Sequence, residues 1–222
     1  TGDDYHKFFR SLSPYLVIEK PSFWSSLQFL FQYQIGYMYW RYFMWNFTGR
    51  QNDIAGTYDI LKGNWISGIP FIDNMRLGNQ SKISEDAKNN KARNTYFFLP
   101  FLLGLMGLIF VYQQDSKRFW VLLLFFLFTG LALKIYLNER PFEPRERDYA
   151  LVGSFYVFSL WIGMGAFYLA NQAKAWIKSK GIAPLMVALC FMAVPLLMAF
   201  QNWDDHDRSG RYTAQSMAKS YL

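Results

Sequence analysis

Apolar residues in this chain gather into runs, separated by connectors dense in Asp, Arg, Asn and Gly. A bilayer core about 30 Å thick needs roughly 20 helical residues to cross it. Five runs approach that length, at 27–46, 95–112, 119–137, 149–170 and 182–200. The second, third and fifth show no polar face, which separates them from the helices of a water-soluble bundle. The first carries Gln28, Gln32, Gln34 and Arg41, residues tolerated at membrane depth only against other helices or a wet cavity. Trp45, Tyr96, Trp120, Tyr149, Tyr168, Trp176 and Trp203 mark run ends, as in the aromatic belts of membrane proteins. In the fourth run Ser159 with Gly163 and Ala166 with Ala170 stand at small-xxx-small spacing, which predicts close helix packing there. Pro195 predicts a kink in the fifth run. The pattern predicts an all-α fold, a polytopic transmembrane helical bundle of about five spans. It fills residues 1–200, with a long extracytoplasmic loop at 47–94, and residues 201–222 begin an extracytoplasmic segment.

Composition sharpens this picture at three points. Hydrophobic residues make up 52% of the chain and aromatics 20%, so a mean hydropathy near zero reflects segregation of runs and connectors. The formal net charge of +7 would hint at nucleic acid in a soluble protein. Here the basic residues flank spans and suit anionic headgroups, and no RNA- or DNA-binding motif is present, so membrane lipids are the expected partner and nucleic acid is not. The single cysteine, Cys190, lies within an apolar run, so there is no disulfide framework. The opening string TGDDYHKFFRSLSPY reads as the interior of a longer polypeptide.

Five spans place the long loop, the loop 138–148 and the tail from Gln201 on one face. The opposite face then has two short connectors. One carries Lys174, Lys178 and Lys180 without an acid, and the other has Lys117 and Arg118 against Asp115. Short basic loops stay in the cytoplasm. The expected location is therefore a bacterial inner membrane, with four polar strings facing the periplasm: GRQND (49–53), GNW (63–65), PRERD (144–148) and NWDDHDRSGR (202–211).

Several residues in these strings could carry chemistry. Asp204, Asp205, His206 and Asp207 are the catalytic candidates. Such a set suits a divalent cation, a general base or the orienting of a polar acceptor. Its competing role is to cap a following helix, and no spacing in it identifies a metal. Arg145 and Arg147 suit an anionic group such as a lipid phosphate, or else pair with Glu146 and Asp148 in a surface turn. Arg41 and Lys134 sit near span ends, where they snorkel to water or line a cavity facing a phosphate. Arg50 and Arg208 complete the cationic candidates, Arg50 with Asp53 serving equally to structure a turn. Trp65 and Trp203 could stack on a sugar, although interfacial Trp usually anchors. The P-loop, dinucleotide-glycine, HExxH and GxSxG motifs and a Cys/His zinc set are all missing, which leaves nucleotide hydrolysis and zinc proteolysis without support.

The strings YQIGYMYWRYFMWNFTGRQND, GNWISGIPFID, NTYFFLPFLLGLMGL, PRERDYALVGSFYVFSLWIGMG and NWDDHDRSGRY resemble those of a bacteroidete multispanning domain-of-unknown-function family. That family is similar to eukaryotic transmembrane protein O-mannosyltransferases of the GT-C glycosyltransferase superfamily. The resemblance covers essentially the whole chain, which looks like the later part of the membrane domain. It implies transfer of a sugar from a polyprenyl-phosphate donor to an acceptor protein at the outer face of the membrane. GT-C enzymes commonly use a carboxylate base in a first external loop. No segment here matches that loop, so the resemblance assigns no catalytic Asp to this sequence. The competing expectation is a non-catalytic subunit or scaffold that partners other proteins of a cell-envelope complex.

Overall fold

The computed structural model describes residues 7, 10–11, 20–139, 146–206 and 209–221, with the backbone alone at 205 and 206. The described chain is mostly helical. Its first long helix, α1, runs through Phe23–Gln28, Phe29–Arg41 and Tyr42–Phe47, with its middle segment in wide π-type turns. Ser22 starts it by accepting a hydrogen bond from the Ser25 amide at 3.1 Å. Then follow β1 (Gly49–Arg50), α2 (Pro70–Leu77), α3 (Glu85–Lys88) and β2 (Asn94–Thr95). The strands pair antiparallel, Gly49 opposite Thr95 and Arg50 opposite Asn94, and Arg50 also bridges to Trp65.

The bundle proper comprises α4 (Leu99–Gln114), α5 (Ser116–Leu137), α6 (Asp148–Trp176) and α7 (Ile182–His206), with a short α8 (Thr213–Ser220) after it. Asp115 makes the tight α4–α5 turn by accepting from the amides of Lys117 and Arg118 at 3.0 and 3.1 Å. Three helices are long and apolar enough to cross a membrane: Ser116–Leu137, Asp148–Trp176 and Ile182–Asp204. The central one is α6, with 39% of its apolar window buried against 11% for the other two. The outer helices thus present apolar side chains to their surroundings, as lipid-facing helices do.

The two remaining expected spans differ from the pattern read in the sequence. Residues 95–98 do not continue a helix upward from α4. Thr95 is in β2, and Phe97 and Phe98 take left-handed backbone at φ 53° and 59°. That leaves 16 residues in α4, about 24 Å at 1.5 Å per residue. The run 27–46 falls within α1, which wedges into one half of the bundle. Gln34 Nε2 donates to Asn138 Oδ1 just past the end of α5, at 2.7 Å. Fourteen residues on, the Tyr96 amide donates to the Thr48 carbonyl just before α4, at 2.9 Å. Between these points its ring contacts stop at Phe101, Phe126 and Phe158, no deeper than the middle of α5 and α6. The polar residues of this run are explained by that position: Gln34 and Arg41 are buried against polar partners.

The core is aromatic where α1 meets α4, α5 and α6. Phe43 and Phe47 approach Phe158 at centroid distances of 4.7 and 4.5 Å, flanked by Trp161, Val157, Val111 and Phe119. Close packing of α4 on α6 comes from glycines other than the expected ones. A Cβ on Gly107 would lie 1.7 Å from the Trp161 carbonyl oxygen, and one on Gly165 would lie 2.0 Å from that of Leu103. Gly163, by contrast, meets nothing within 4 Å, and Ser159 is exposed. The packed face therefore runs through Leu151, Ser154, Phe158, Trp161, Gly165 and Ala170, which takes in Ala170 of the expected Ala166–Ala170 pair and lies one step around the helix from the Ser159–Gly163 pair. Pro195 sits inside a π-type segment, Met192–Leu196, whose wider turn accommodates the missing amide.

Candidate functional site

The polar strings meet at one end of the bundle, and the hydrogen bonds that join them define the candidate site. GRQND and GNW lock together through side-chain amides. Gln51 Oε1 accepts from the Asn64 amide and side chain at 3.2 and 3.1 Å, and Asn52 Oδ1 accepts from the Gly63 amide at 3.0 Å. Gly63 has φ 69°, a left-handed conformation that suits glycine. The end of α7 docks on β2 through Gln201, which accepts from the Thr95 amide at 2.6 Å and donates to its carbonyl at 2.8 Å. Next to it, Asn202 donates to the Tyr96 hydroxyl at 2.6 Å, and the Asn94 and Asn202 amides meet at 2.8 Å.

Two intramembrane-type cations are held by carboxylates that the sequence reading left unassigned. Arg41, 6% exposed, donates to the Tyr37 and Gly63 carbonyls at 3.1 and 2.5 Å and pairs with Glu146. Its guanidinium lies 4.4 Å from the Tyr37 ring centroid. Lys134, 1% exposed, pairs with Glu139 at 2.5 Å. The other oxygen of Glu139 makes no hydrogen bond among the described residues but faces Arg147 Nε at 3.8 Å. Both cations are thus buried and internally neutralised, which corrects the expectation that they snorkel. Glu146 pairs across to α1 and Arg147 faces Glu139, so both residues reach beyond the PRERD turn itself.

The segment between β1 and β2 is built around Asp73. It accepts from the Ser67 amide and hydroxyl at 2.8 and 3.0 Å and from the Gly68 amide at 2.8 Å. Arg76 lies 3.4 Å from the Trp65 ring centroid and donates to the Trp65 carbonyl at 3.0 Å. Burial pulls the Arg76 guanidinium below its ordinary value, and the Asp73 charge opposes that shift. Arg93 is lowered by the same desolvation, again against Asp73. Asp59 is held below the ordinary carboxylate range, chiefly by the Thr57 hydroxyl, although burial works the other way.

The other candidates fall into three groups. Arg50 donates to the Ala92 carbonyl at 2.8 Å and lies 5.9 Å from the Trp45 ring, a position that fastens β1 beside β2. Trp65 has a guanidinium over its ring, so a sugar could stack there only by displacing Arg76, whereas Trp203 is 74% exposed. Asp204 is exposed in the last turn of α7, and Tyr212, the residue at the start of α8, makes no side-chain cap bond. Asp205 and His206 share that turn in backbone only. Arg145, Asp207 and Arg208 lie outside the described residues. Among the described residues no group of three or more His, Cys, Asp or Glu converges as a metal site would. Of the residues that bind the site together, Glu139, Glu146, Asp73 and Gln201 were missed in the sequence. The one usable signal was the isolated Arg41 and Lys134, each of which required a counter-charge.

Fold and site together define an all-α membrane protein whose apolar helices carry a hydrogen-bonded polar cap at one end. The chain matches no protein-family model, no curated protein and no solved structure.

Proposed function

We propose that the chain is the distal membrane part of a GT-C-like glycosyltransferase that moves a sugar from a polyprenyl-phosphate donor to protein at the periplasmic face of the inner membrane. One observation carries this reading: the strings on which the resemblance rests converge on a single polar end, joined by Gln51–Asn64, Arg41–Glu146 and Asn94–Asn202. A lipid-linked donor and a protein acceptor need such a preorganised polar face beside apolar helices. In this reading α4 to α7 cross the bilayer, and α1 supports the polar end without crossing. The short basic connectors at 113–118 and 171–181 face the cytoplasm. Arg41, Lys134 and Arg50 position elements of the cap. In this reading Arg147, whose side chain is 34% exposed, meets a donor phosphate, with Arg145 two residues before it in sequence and Arg208 as a further candidate. Trp203 is the exposed ring for a sugar face.

Replacing Arg147 by Gln in the full protein, in its own membrane, tests this. Glycan occupancy of envelope proteins should fall while the protein remains folded and inserted; an unchanged glycan profile at normal protein level overturns the reading. A second reading, a non-catalytic subunit of an envelope complex, draws on the exposed apolar side chains Ile54, Ile60 and Leu61 of the cap. It requires a partner held at fixed stoichiometry that is lost when Leu61 becomes Ser.

A further inference from the structure

In α2 the usual burial pattern of a surface helix is reversed. Asp73 and Leu77 face the protein, while Phe71 and Met75 are 78% and 73% exposed. The inward side is fixed by Asp73 on Ser67 and Gly68 and by Arg76 on Trp65, so α2 cannot roll its apolar side inward without breaking those contacts. Its start is tied to the head of α4: the Phe97 amide donates to the Ser67 carbonyl at 3.0 Å, and Gly68 lies against Thr95 and Phe97. From that point an exposed apolar stripe continues down α4 through Phe97, Leu99, Leu102, Leu105 and Ile109. The other end of α2 is joined to a basic segment through Asn74–Gln80 and Gln80–Arg93 bonds of 2.8 and 3.0 Å. That segment carries exposed Lys82 and Lys91 at its two ends; between them Lys88 pairs with Glu85 at 2.8 Å and Asp86 is exposed.

We infer that α2 is a membrane-interface anchor, whose Phe71 and Met75 insert at the headgroup boundary of the leaflet next to the polar cap, with Lys82 and Lys91 meeting anionic headgroups. The occupant of this apolar face is lipid for two reasons. The face is continuous with the exposed stripe of α4, and of the adjoining charges Lys82 and Lys91 stand exposed while Lys88 is matched by Glu85, which leaves a net basic edge complementary to anionic lipid. Interfacial helices combine an apolar face with flanking Lys in this way. The inference concerns how the cap is seated and holds whether or not the chain transfers a sugar.

The test uses the full chain in nanodiscs of neutral lipid with and without an anionic lipid, on a Cys190→Ala background. Spin labels are placed singly at Phe71→Cys, Met75→Cys and, as a water-exposed control, Glu85→Cys. Labels at 71 and 75 should collide more with oxygen than with a water-soluble nickel complex, and the label at 85 the reverse. Anionic lipid should deepen the first two, and Lys82→Gln with Lys91→Gln should abolish that deepening. Labels at 71 and 75 as accessible to nickel as the one at 85 overturn the inference. So do labels shielded from both reagents, which would mean a second copy or a protein partner on that face. All three substituted side chains are exposed, so folding should survive; circular dichroism checks it.

Discussion

The burial of Lys134 makes a quantitative and asymmetric prediction. Lys134 and Glu139 have side chains 1% and 4% exposed and meet at 2.5 Å. Breaking a buried pair by removing one partner typically costs about 3–5 kcal/mol, because a charge is left uncompensated. The two halves of this pair are not equivalent. Lys134→Met leaves Glu139 with Arg147 at 3.8 Å. A partly exposed ion of that kind recovers up to about 1 kcal/mol. Glu139→Gln leaves Lys134 buried with an amide in place of its carboxylate and should cost the full ~3–5 kcal/mol. The double variant removes both charges and should lie within about 1 kcal/mol of the parent, giving a coupling energy of several kcal/mol in the cycle. Reversible unfolding in mixed micelles, followed by circular dichroism, measures all three. If each single variant cost less than about 1 kcal/mol, with no coupling, Lys134 would be an exposed, snorkelling lysine and the buried pair would be wrong.

Other consequences follow from single contacts. Gly107→Ala must push α4 off α6, since its Cβ would fall 1.7 Å from the Trp161 carbonyl; we expect a loss of about 1–3 kcal/mol or more, while Gly163→Ala, with nothing within 4 Å, should stay within ~0.5 kcal/mol of the parent. Gln201→Ala removes both bonds to the Thr95 backbone and should cost about 1–3 kcal/mol, seen as faster amide exchange at Thr95. Asp59 has a lowered folded pKa, so its contribution is fully present above the ordinary carboxylate range and is lost as pH falls through its lowered value. Exchange at the Leu61 and Lys62 amides, both bonded to Asp59, should then outpace the intrinsic rate change in acid, and Asp59→Asn should remove that excess.

How much of this was legible in the sequence depended on whether a feature was local. The helices α5, α6 and α7 were visible because an apolar run of membrane length has few alternatives. The top of the second run was misjudged because Thr95 is as apolar-compatible in a strand as in a helix, and only its pairing with Gly49 decides. The first run was long and aromatic enough to suggest a crossing. Gln34 and Arg41 were the contrary signal, and they find Asn138 and Glu146 more than a hundred residues away, whereas Gln28 and Gln32 are exposed and bond to each other. The same distance hid the site's carboxylates. Lys134 and Arg41 announced that a counter-charge was needed, but nothing in a linear pattern selects Glu139 and Glu146 from the other acids. Asp73 was hidden differently: it lies in the long connector 47–94, and nothing local shows that the acid reaches back to Ser67 and Gly68.

The long-range polar contacts also explain how such apolar helices find one arrangement. Lipid tails are as apolar as the side chains of α5 and α7, so burial of apolar area selects neither rotation nor register among them. Two kinds of contact on these helices do select. The glycine contacts of Gly107 and Gly165 fix the height of α4 on α6, because backbones can touch only there. The polar end fixes the rest: Arg41–Glu146 ties α1 to the head of α6, Lys134 with Glu139 and Arg147 ties α5 to it, and Gln201 ties α7 to β2. Buried ion pairs add little net stability against apolar replacements, and specifying one arrangement is the role that best accounts for their retention here. The double variant at Lys134 and Glu139 separates these properties: stability near that of the parent, together with broadened spin-label distances between α5 and α6, is the outcome this division of labour requires.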